Sequence, residues 1–165
     1  MPEATTIHTI EARIATADDL PALIANETSR TKGLSAEYLA LQGQGEFYVV
    51  VGLIDGEVGG RALLDCRDDG TNLVPEMKVL WVFPNARRKG LGLAMTAALE
   101  DLARDLGYRE IFLGVSPENP AAIPLYIELG YAPTGEHRQA VNVSVLVTEA
   151  EPPMEAIFQK SLVVR

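Results

Sequence analysis

The sequence predicts a mixed α/β fold in which one central sheet carries both antiparallel and parallel strand pairs. Two β-branched runs within 46–66 meet at Asp55-Gly56, a pair typical of tight hairpin turns, so these runs should form antiparallel strands. Through 76–115 a strand, a long helix and a second strand follow one another, which predicts a parallel pair joined by a crossover. No repeat or low-complexity linker interrupts the 165 residues, so we expect one domain over 1–165.

The elements before the hairpin alternate between strand and helix. Residues 10–14 are predicted as a strand, and a helix should begin near Thr16 or Asp18, because both side chains can accept a hydrogen bond from its first turn. The stretch SAEYLALQ follows as a second short helix, for which Ser35 is the expected cap. One strand and two helices therefore precede the hairpin.

The longest helix is predicted after the hairpin. Apolar side chains recur at spacings of three and four over 88–106, and Gly107 supplies a C-terminal stop. A later helix is expected from Asn119, a capping residue followed by Pro120, to Gly130. Four further strands are predicted, over 73–83, 109–116, 131–147 and 154–164. The segment TEAEPP separates the last two.

Composition excludes several classes of function. The chain has 14 basic and 23 acidic residues and a formal charge of −9, the wrong sign for a general nucleic-acid binder. Cys66 is the only cysteine and His8 and His137 are the only histidines, so neither a disulfide nor a metal site is expected. The longest apolar run, 47–54, is far shorter than the roughly 20 residues of a membrane span, and the first residues lack the order of a signal peptide. We therefore expect a cytoplasmic protein without a membrane partner.

The segment NARRKGLGLAM, at 85–95, predicts an anion-binding turn. It follows an apolar strand and precedes the longest helix, whose N-terminus leaves backbone N–H groups unpaired and carries about half a positive charge. Gly90 and Gly92 let the backbone approach an anion closely, while Arg87, Arg88 and Lys89 add positive charge. Phosphate or pyrophosphate is the expected ligand, and a solvated basic turn that only begins the helix is the alternative.

Three familiar motifs do not fit the sequence. GLGLAM has neither the spacing nor the Lys-Ser pair of a P-loop. A Rossmann motif would need glycine or alanine in place of Met95 and an acidic residue where Phe112 and Leu113 stand. GVSPE lacks the second glycine of a hydrolase nucleophile elbow, because Glu118 occupies its position.

Two motifs together resemble the GNAT superfamily of acyl-CoA-dependent N-acyltransferases. Residues 87–92, RRKGLG, are similar to its R/Q-x-x-G-x-G/A signature, and 119–131, NPAAIPLYIELGY, resemble its motif N-x-x-A-x-x-L-Y-x-x-x-G-Y/F. The close resemblance covers about 74–135. It implies a mostly antiparallel central sheet with a splayed parallel strand pair, flanked by about four helices.

The resemblance also implies a cofactor, acetyl-CoA, and the residues that bind it. Asn119 would contact the pantetheine, and Tyr126 would lie near the sulfur and protonate the departing thiolate. Asn119 could instead serve only as a helix cap, and Tyr126 could be a core residue. The strand before the turn would bind the pantetheine arm and donate an N–H group to the thioester oxygen, and the turn would bind the pyrophosphate. The predicted cofactor-binding residues of the strand and turn are Leu80, Val82, Phe83, Arg87, Arg88, Lys89, Gly90, Leu91 and Gly92.

An amine acceptor also needs a base, because an alkylamine is protonated at neutral pH. Glu76 is the first candidate, since the period of two predicts that it points to the same face of its strand as Leu80 and Val82. It could instead be a surface glutamate that pairs with Lys78 or Arg61. His137 is the second candidate, and an exposed histidine without a catalytic role is the alternative.

The sequence thus predicts an N-acetyltransferase that moves an acyl group, most simply acetyl, from coenzyme A to a primary amine by direct attack. An acyl-CoA-binding sensor or structural module without transfer is the alternative. Segments 26–33 and 148–153 should wall the acceptor site by resemblance, and similar proteins are often homodimers. The walls contain Glu27, Glu149 and Glu151, with Glu76 beneath them, so a cationic acceptor is expected.

Overall fold

One seven-stranded sheet forms the centre of the computed structural model, which describes residues 7–68, 70, 72–117, 119–140 and 154–163. The strands lie side by side in the order β1-β2-β3-β4-β5-β7-β6, and each neighbouring pair is antiparallel except β4 and β5. The predicted mixed, mostly antiparallel sheet with one parallel pair is confirmed. The strands are β1 (Ile10–Ile14), β2 (Phe47–Ile54), β3 (Glu57–Asp65), β4 (Glu76–Val82), β5 (Glu110–Val115), β6 (Ala132–Gln139) and β7 (Met154–Ser161).

Helices cover both faces of this sheet. The helices are α1 (Leu20–Ala25), α2 (Leu34–Gln44), α3 (Leu91–Asp105) and α4 (Ile123–Glu128). One hydrophobic core lies between the sheet and α3, where Leu91, Met95 and Leu99 are at most 1% exposed, and α4 packs against its edge. A second core lies on the opposite face, where Leu23 of α1 and Tyr38 of α2 cover β2 and β3. We call these the α3 face and the α2 face.

Local backbone signals explain several of the element boundaries. Asp55 and Gly56 have φ angles of 52° and 83°, so the two-residue turn between β2 and β3 takes the conformation that Asp-Gly favours. Gly107, with φ 93°, follows the end of α3, and Gly130, with φ 96°, follows the end of α4. The predicted hairpin and both predicted helix stops are confirmed.

The start of α2 differs from the prediction. Ser35 was expected to cap this helix, but the helix begins at Leu34, after Gly33 with φ 84°. The backbone N–H groups of Gly33 and Ser35 donate instead to the Glu27 carboxylate, at 3.1 and 2.9 Å. A carboxylate from the preceding segment therefore satisfies the free donors at this helix end.

The last part of the chain is only partly described. β6 covers Ala132–Gln139, so the predicted strand over 131–147 is observed over about its first half, and residues 141–147 lie outside the described residues. Segment 148–153, one predicted wall of the acceptor site, also lies outside them. None of the helices within the described ranges is long and apolar enough to cross a membrane.

Candidate active site

A gap opens in the sheet between β4 and β5. Among the residues that the structure describes, the one register pair between these parallel strands is Glu76 with Phe112. The Phe112 backbone N–H donates to the Pro75 carbonyl at 3.0 Å, at the same end of the strands. Beyond this point no further register pair joins β4 and β5 in the described part of the chain, which agrees with the splayed pair that the resemblance implied.

A β-bulge bends β4 beside this gap. Leu63 of β3 lies opposite Lys78, but Arg61 lies opposite Trp81, so Val79 and Leu80 together face a single β3 residue. Val79 has a φ of 55°, a conformation that a β-branched residue adopts rarely. The Val79 carbonyl accepts a hydrogen bond of 2.9 Å from Arg61 Nη1, which helps to hold the bulge.

Because of the bulge, Glu76, the predicted base, lies on the opposite face of β4 from Leu80 and Val82. Glu76 was expected to share the face of Leu80 and Val82, and this prediction is wrong, because the extra residue breaks the alternation. Leu80 and Val82 pack on the α3 face. Glu76 lies opposite Asp65 on β3, on the other side of the sheet.

Glu76 is buried in an ionic network. Its carboxylate forms ion pairs with Arg138 of β6 and with Lys78 at 3.3 Å, and its side chain is 7% exposed. Lys78 also pairs with Asp65 at 3.1 Å, and Asp65 with Arg67 at 2.9 Å. Hydrogen bonds from Arg67 and the charge of Lys78 hold the pKa of Asp65 below its usual value, although burial opposes this shift. The expected pairing of Glu76 with Lys78 is observed, whereas that with Arg61 is not.

Glu76→Gln should lower the free energy of unfolding by about 3 kcal/mol, because removal of one partner leaves buried cations without their counter-charge. Urea denaturation of the variant and the wild type measures the difference. Glu57→Gln, at an exposed position of β3, is the matched control and should change stability by less than about 0.5 kcal/mol. Equal stabilities of Glu76→Gln and wild type would show that the network contributes nothing.

A first cavity lies on the α3 face, at the N-terminus of α3. It has a volume of about 270 Å³. Leu80 and Val82 of β4 form one wall, and Leu125 of α4 and Leu129, which follows α4, form another. The lining is completed by Arg87, Arg88, Gly90, Leu91, Gly92, Leu93 and Thr96. Most of the predicted anion-binding turn therefore lines one space with the inner edge of β4, and we call this space the turn cavity.

The glycines of the turn leave this cavity open. Gly90 has a φ of 86°, and a Cβ placed there would contact nothing within 4 Å. A Cβ on Gly92 would contact only Val82 Cγ2, at 3.8 Å, so a larger side chain would extend into the space between α3 and β4. A helix N-terminus with free donors, two glycines and two arginines suits a phosphate group. The residues present therefore fit the pyrophosphate of a coenzyme.

The three cations of the turn do not act as one cluster. The Arg87 guanidinium lies 4.7 Å from the centre of the Trp81 ring, and its Nε donates to the Val82 carbonyl at 3.0 Å. Arg88 lines the turn cavity, with a φ of 66°. Lys89 lines a different cavity, beside Asp55. The backbone and the first two cations are thus placed for an anion in the turn cavity, and Lys89 is not.

Backbone donors of β4 face the gap at two positions. The Phe83 N–H donates to the Gly59 carbonyl of β3 at 2.8 Å. Because N–H groups alternate along a strand, that of Val82 points away from β3, toward the gap. The Leu80 N–H belongs to the same trans peptide as the Val79 carbonyl, which accepts from Arg61 of β3, so it also points away from this contact. Phe83 was predicted to bind the cofactor, but its N–H is used within the sheet, and its side chain packs on the α2 face.

Tyr126 and Asn119 are not among the described residues that line the turn cavity. The Tyr126 ring packs edge to face on Tyr131, with centroids 6.2 Å apart, and burial raises the pKa of its phenol. The phenol therefore keeps its proton at neutral pH. Asn119 begins the turn before α4, and its carbonyl accepts the Ala122 N–H at 3.3 Å. His137 is exposed on β6.

A second cavity lies on the α2 face, directly across β4. It has a volume of about 360 Å³, and residues of 26–31 form one wall. These residues belong to segment 26–33, for which the resemblance implied a place at the acceptor site. We call it the α2 cavity. Leu80 lines this space as well as the turn cavity. The two cavities therefore approach each other where β4 bulges and the sheet is open. The other lining residues are Leu23, Leu34, Ser35, Arg61, Val79, Trp81 and Phe83.

Arg61 is the residue of this cavity that the sequence did not single out. It was named only as a partner for Glu76. The available signal was a lone arginine inside the apolar run VGGRALL of β3. Its side chain reaches the α2 face, where the guanidinium lies 5.5 Å from the centre of the Tyr38 ring.

Comparison with protein families places the chain in a class. The model of the acetyltransferase (GNAT) family matches residues 14–131. This range includes all the described residues that line the turn cavity and the α2 cavity. The chain belongs to this family, and the predicted resemblance is confirmed. Among the described residues, no group of three or more His, Cys, Asp or Glu side chains is placed to hold a metal ion.

Individual relatives agree with this class. A mycothiol acetyltransferase of Geodermatophilus obscurus is 39% identical over 77 residues, which are 47% of this chain and 23% of that protein. The chain thus matches under a quarter of that relative's length. An acetyl-CoA-bound putative acetyltransferase of Salmonella typhimurium, yncA, is 26% identical, with a TM-score of 0.67 over 95% of this chain and 96% of that one. An N-acetyltransferase of Staphylococcus aureus, at 19% identity, shares the fold with a TM-score of 0.70, over 94% of this chain and 99% of that one.

Proposed function

We propose that the chain is a single-domain N-acetyltransferase that transfers acetyl from acetyl-CoA to a primary amine by direct attack. The observation that carries the proposal is the pair of cavities on opposite faces of the sheet, which share Leu80. One cavity suits a phosphate-bearing coenzyme and the other an acceptor of small-molecule size. The family match over residues 14–131 supports acetyl transfer as the reaction.

Acetyl-CoA supplies an activated thioester. The free N–H groups at the start of α3, with Gly90, Gly92 and Arg88, bind its pyrophosphate in this proposal. The N–H groups of Leu80 and Val82 bind the pantetheine arm and the thioester oxygen. A well-placed donor of this kind can contribute about 3–4 kcal/mol to the stabilisation of a developing oxyanion.

Two protons move during the reaction. A bond forms between the amine nitrogen and the acetyl carbon, and the carbon–sulfur bond breaks. Starting from the protonated amine, the nitrogen loses one proton before the attack and a second after it; the departing thiolate gains one proton, and one is released to solvent. Tyr126 is the proposed donor to the thiolate, since it follows Leu125, which lines the turn cavity, and its phenol is protonated at neutral pH.

Glu76 and His137 are the two predicted candidates for the base. Deprotonation of an alkylamine at pH 7 costs roughly 4.6 kcal/mol, because its pKa is about 10.4. Glu76 stays a predicted base, but its ion pairs with Arg138 and Lys78 favour a structural role. The folded Glu76→Gln variant separates these roles, since kcat should fall by about 10²–10⁴ if Glu76 is the base and otherwise stay close to wild type. His137 also stays a prediction.

Release of free thiol from acetyl-CoA tests the proposal. Purified protein should release thiol when primary amines are added, with acetylated amine formed in equal amount. The panel should include amino acids, amino acid amides, polyamines and peptide N-termini. Binding of acetyl-CoA without thiol release from any of these amines would favour the alternative, a sensor or structural module.

Two other expectations stay predictions. Of the four acidic residues expected at the acceptor site, Glu149 and Glu151 lie outside the described residues. Glu27 lines the α2 cavity and accepts two backbone N–H groups at the start of α2, and Glu76 is paired with cations in the ionic network. A cationic acceptor therefore stays a prediction. A homodimer is the other expectation, and light scattering in solution would test it.

A further inference from the structure

Arg61 is a buried guanidinium in the wall of the α2 cavity. The residue is 7% exposed, and β3 holds it opposite Trp81, which lines the same space. Its contacts are the hydrogen bond from Nη1 to the Val79 carbonyl and the face of the Tyr38 ring. Within the described ranges, no carboxylate lies within ion-pair distance of Arg61.

This arrangement is unusual for a buried charge. A guanidinium has five N–H donors, and a carbonyl and an aromatic ring satisfy it only in part. Burial of a cation without a counter-ion costs free energy, and burial lowers the pKa of the Arg61 guanidinium from its usual value. An anion in the cavity would supply the missing counter-charge and accept two N–H groups side by side.

The acidic residue of the described lining, Glu27, does not form an ion pair with Arg61. Its charge acts on Arg61 and opposes the lowering of the Arg61 pKa by burial, but its carboxylate accepts the backbone N–H groups of Gly33 and Ser35. Arg30 adds a second positive charge to the lining. The described lining therefore carries two arginines and one engaged glutamate, and the cavity favours an anionic group over a cationic one.

The remaining walls define the rest of the ligand. Leu23, Leu34 and Phe83 form an apolar surface, and Thr28 and Thr31 add hydroxyl groups to the wall that residues of 26–31 form. The volume of about 360 Å³ suits a molecule of amino-acid size. An apolar body with one anionic end matches this distribution of groups.

We propose that the acceptor is an amine that also carries a carboxylate, such as an amino acid with an apolar side chain, and that Arg61 binds the carboxylate. This inference rests on the proposed function, because it names the class of acceptor for the same transfer. The carboxylate at Arg61 would orient the amine toward Leu80, where the two cavities approach each other. Guanidinium is better suited than ammonium for such a contact, since its planar fork binds both carboxylate oxygens.

Matched acceptor pairs test the inference by turnover. Leucine, methionine and phenylalanine are each compared with their amides, which differ only in the carboxylate. The amine of an amino acid amide has a lower pKa than that of the amino acid, so a direct comparison of the two would mix acidity with binding. We therefore take the ratio of kcat/KM for the acid to kcat/KM for the amide, and divide the ratio of the wild type by that of Arg61→Gln. We expect this quotient to be at least about tenfold, which corresponds to about 1.4 kcal/mol. Arg61→Lys should retain part of the preference.

Trp81 provides a second measurement that needs no turnover. It is the only tryptophan of the chain, is 40% exposed and lines the α2 cavity. Leucine should change its fluorescence at lower concentration than leucinamide, and Arg61→Gln should remove this difference. Acetyl-CoA binding, measured by calorimetry, should be equal in Arg61→Gln and wild type, because Arg61 lies on the other face from the turn cavity.

The outcomes separate this inference from the proposed function. Turnover of amines with a quotient near one, or with polyamines preferred over every amino acid, would overturn the carboxylate site and leave acetyl transfer standing. A carboxylate-selective, Arg61-dependent fluorescence change without any thiol release would support the site and contradict transfer. No response to the carboxylates in either measurement overturns the inference. If the Arg61 variants do not fold, the wild type alone tests the inference: leucine must change the Trp81 fluorescence at lower concentration than leucinamide, and equal concentrations would overturn the carboxylate site.

Discussion

Gly92→Val is expected to reduce the affinity for acetyl-CoA by about two orders of magnitude or more while the protein remains folded. Gly92 is the second residue of α3, and a Cβ there would meet only Val82 Cγ2 at 3.8 Å. The added methyl groups would extend into the turn cavity, where they would occupy the space proposed for the pyrophosphate. The backbone of Gly92 is not in the left-handed region, so valine is tolerated in the helix.

Calorimetric titration with acetyl-CoA measures this loss, and circular dichroism checks the fold. Gly43→Val is the matched control, because Gly43 is also helical, in α2, and a Cβ there has no neighbour within 4 Å. That variant should bind acetyl-CoA like the wild type. Wild-type affinity in a folded Gly92→Val protein would contradict the assignment of the turn cavity to the coenzyme.

Tyr126→Phe is expected to lower kcat by about 10²–10⁴-fold with little change in the affinity for acetyl-CoA. The hydroxyl is the proposed proton donor to the thiolate, so only the transition state would lose an interaction. The ring itself packs on Tyr131, and phenylalanine preserves that contact. Steady-state kinetics and single-turnover measurements together show whether the chemical step has slowed.

The neighbouring tyrosine supplies a matched control. The Tyr131 hydroxyl is buried, and the described residues offer it no hydrogen-bond partner. Tyr131→Phe should therefore leave kcat unchanged, and its stability should be equal to or above that of the wild type. An unchanged kcat in Tyr126→Phe, with chemistry limiting the rate, would return Tyr126 to a role in the core.

Local signals predicted most of the elements. The Asp55-Gly56 turn, the apolar spacing of α3 and the stop at Gly107 each depend on a few adjacent residues, and the structure agrees with all three. The mostly antiparallel sheet with one splayed parallel pair was implied by the resemblance that the two motifs carry, and the order of the strands was not predicted. The turn cavity was predicted, since a strand, a glycine-rich turn and a helix are consecutive in the chain.

Features that depend on distant residues could not be read in this way. Glu76 pairs with Arg138, far away in the sequence, and no spacing rule links them. The bulge in β4 places a valine at φ 55°, which local propensity disfavours, so a period of two was assumed and the face of Glu76 was wrong. The role of Glu27 at the start of α2 was also missed, because capping rules consider only adjacent residues.

Leu80 lines both the turn cavity and the α2 cavity, and this position affects the order in which coenzyme and acceptor can bind. The turn cavity and the α2 cavity lie on opposite faces, so an occupant of one does not cover the opening of the other. Coenzyme and acceptor could then associate in either sequence and be present together, without a covalent acetyl-enzyme. In a kinetic experiment this corresponds to a random sequential scheme with intersecting double-reciprocal lines, rather than the parallel lines of a ping-pong scheme. A bisubstrate ligand, which joins coenzyme and acceptor in one molecule, would have to occupy both cavities and pass through the sheet beside Leu80.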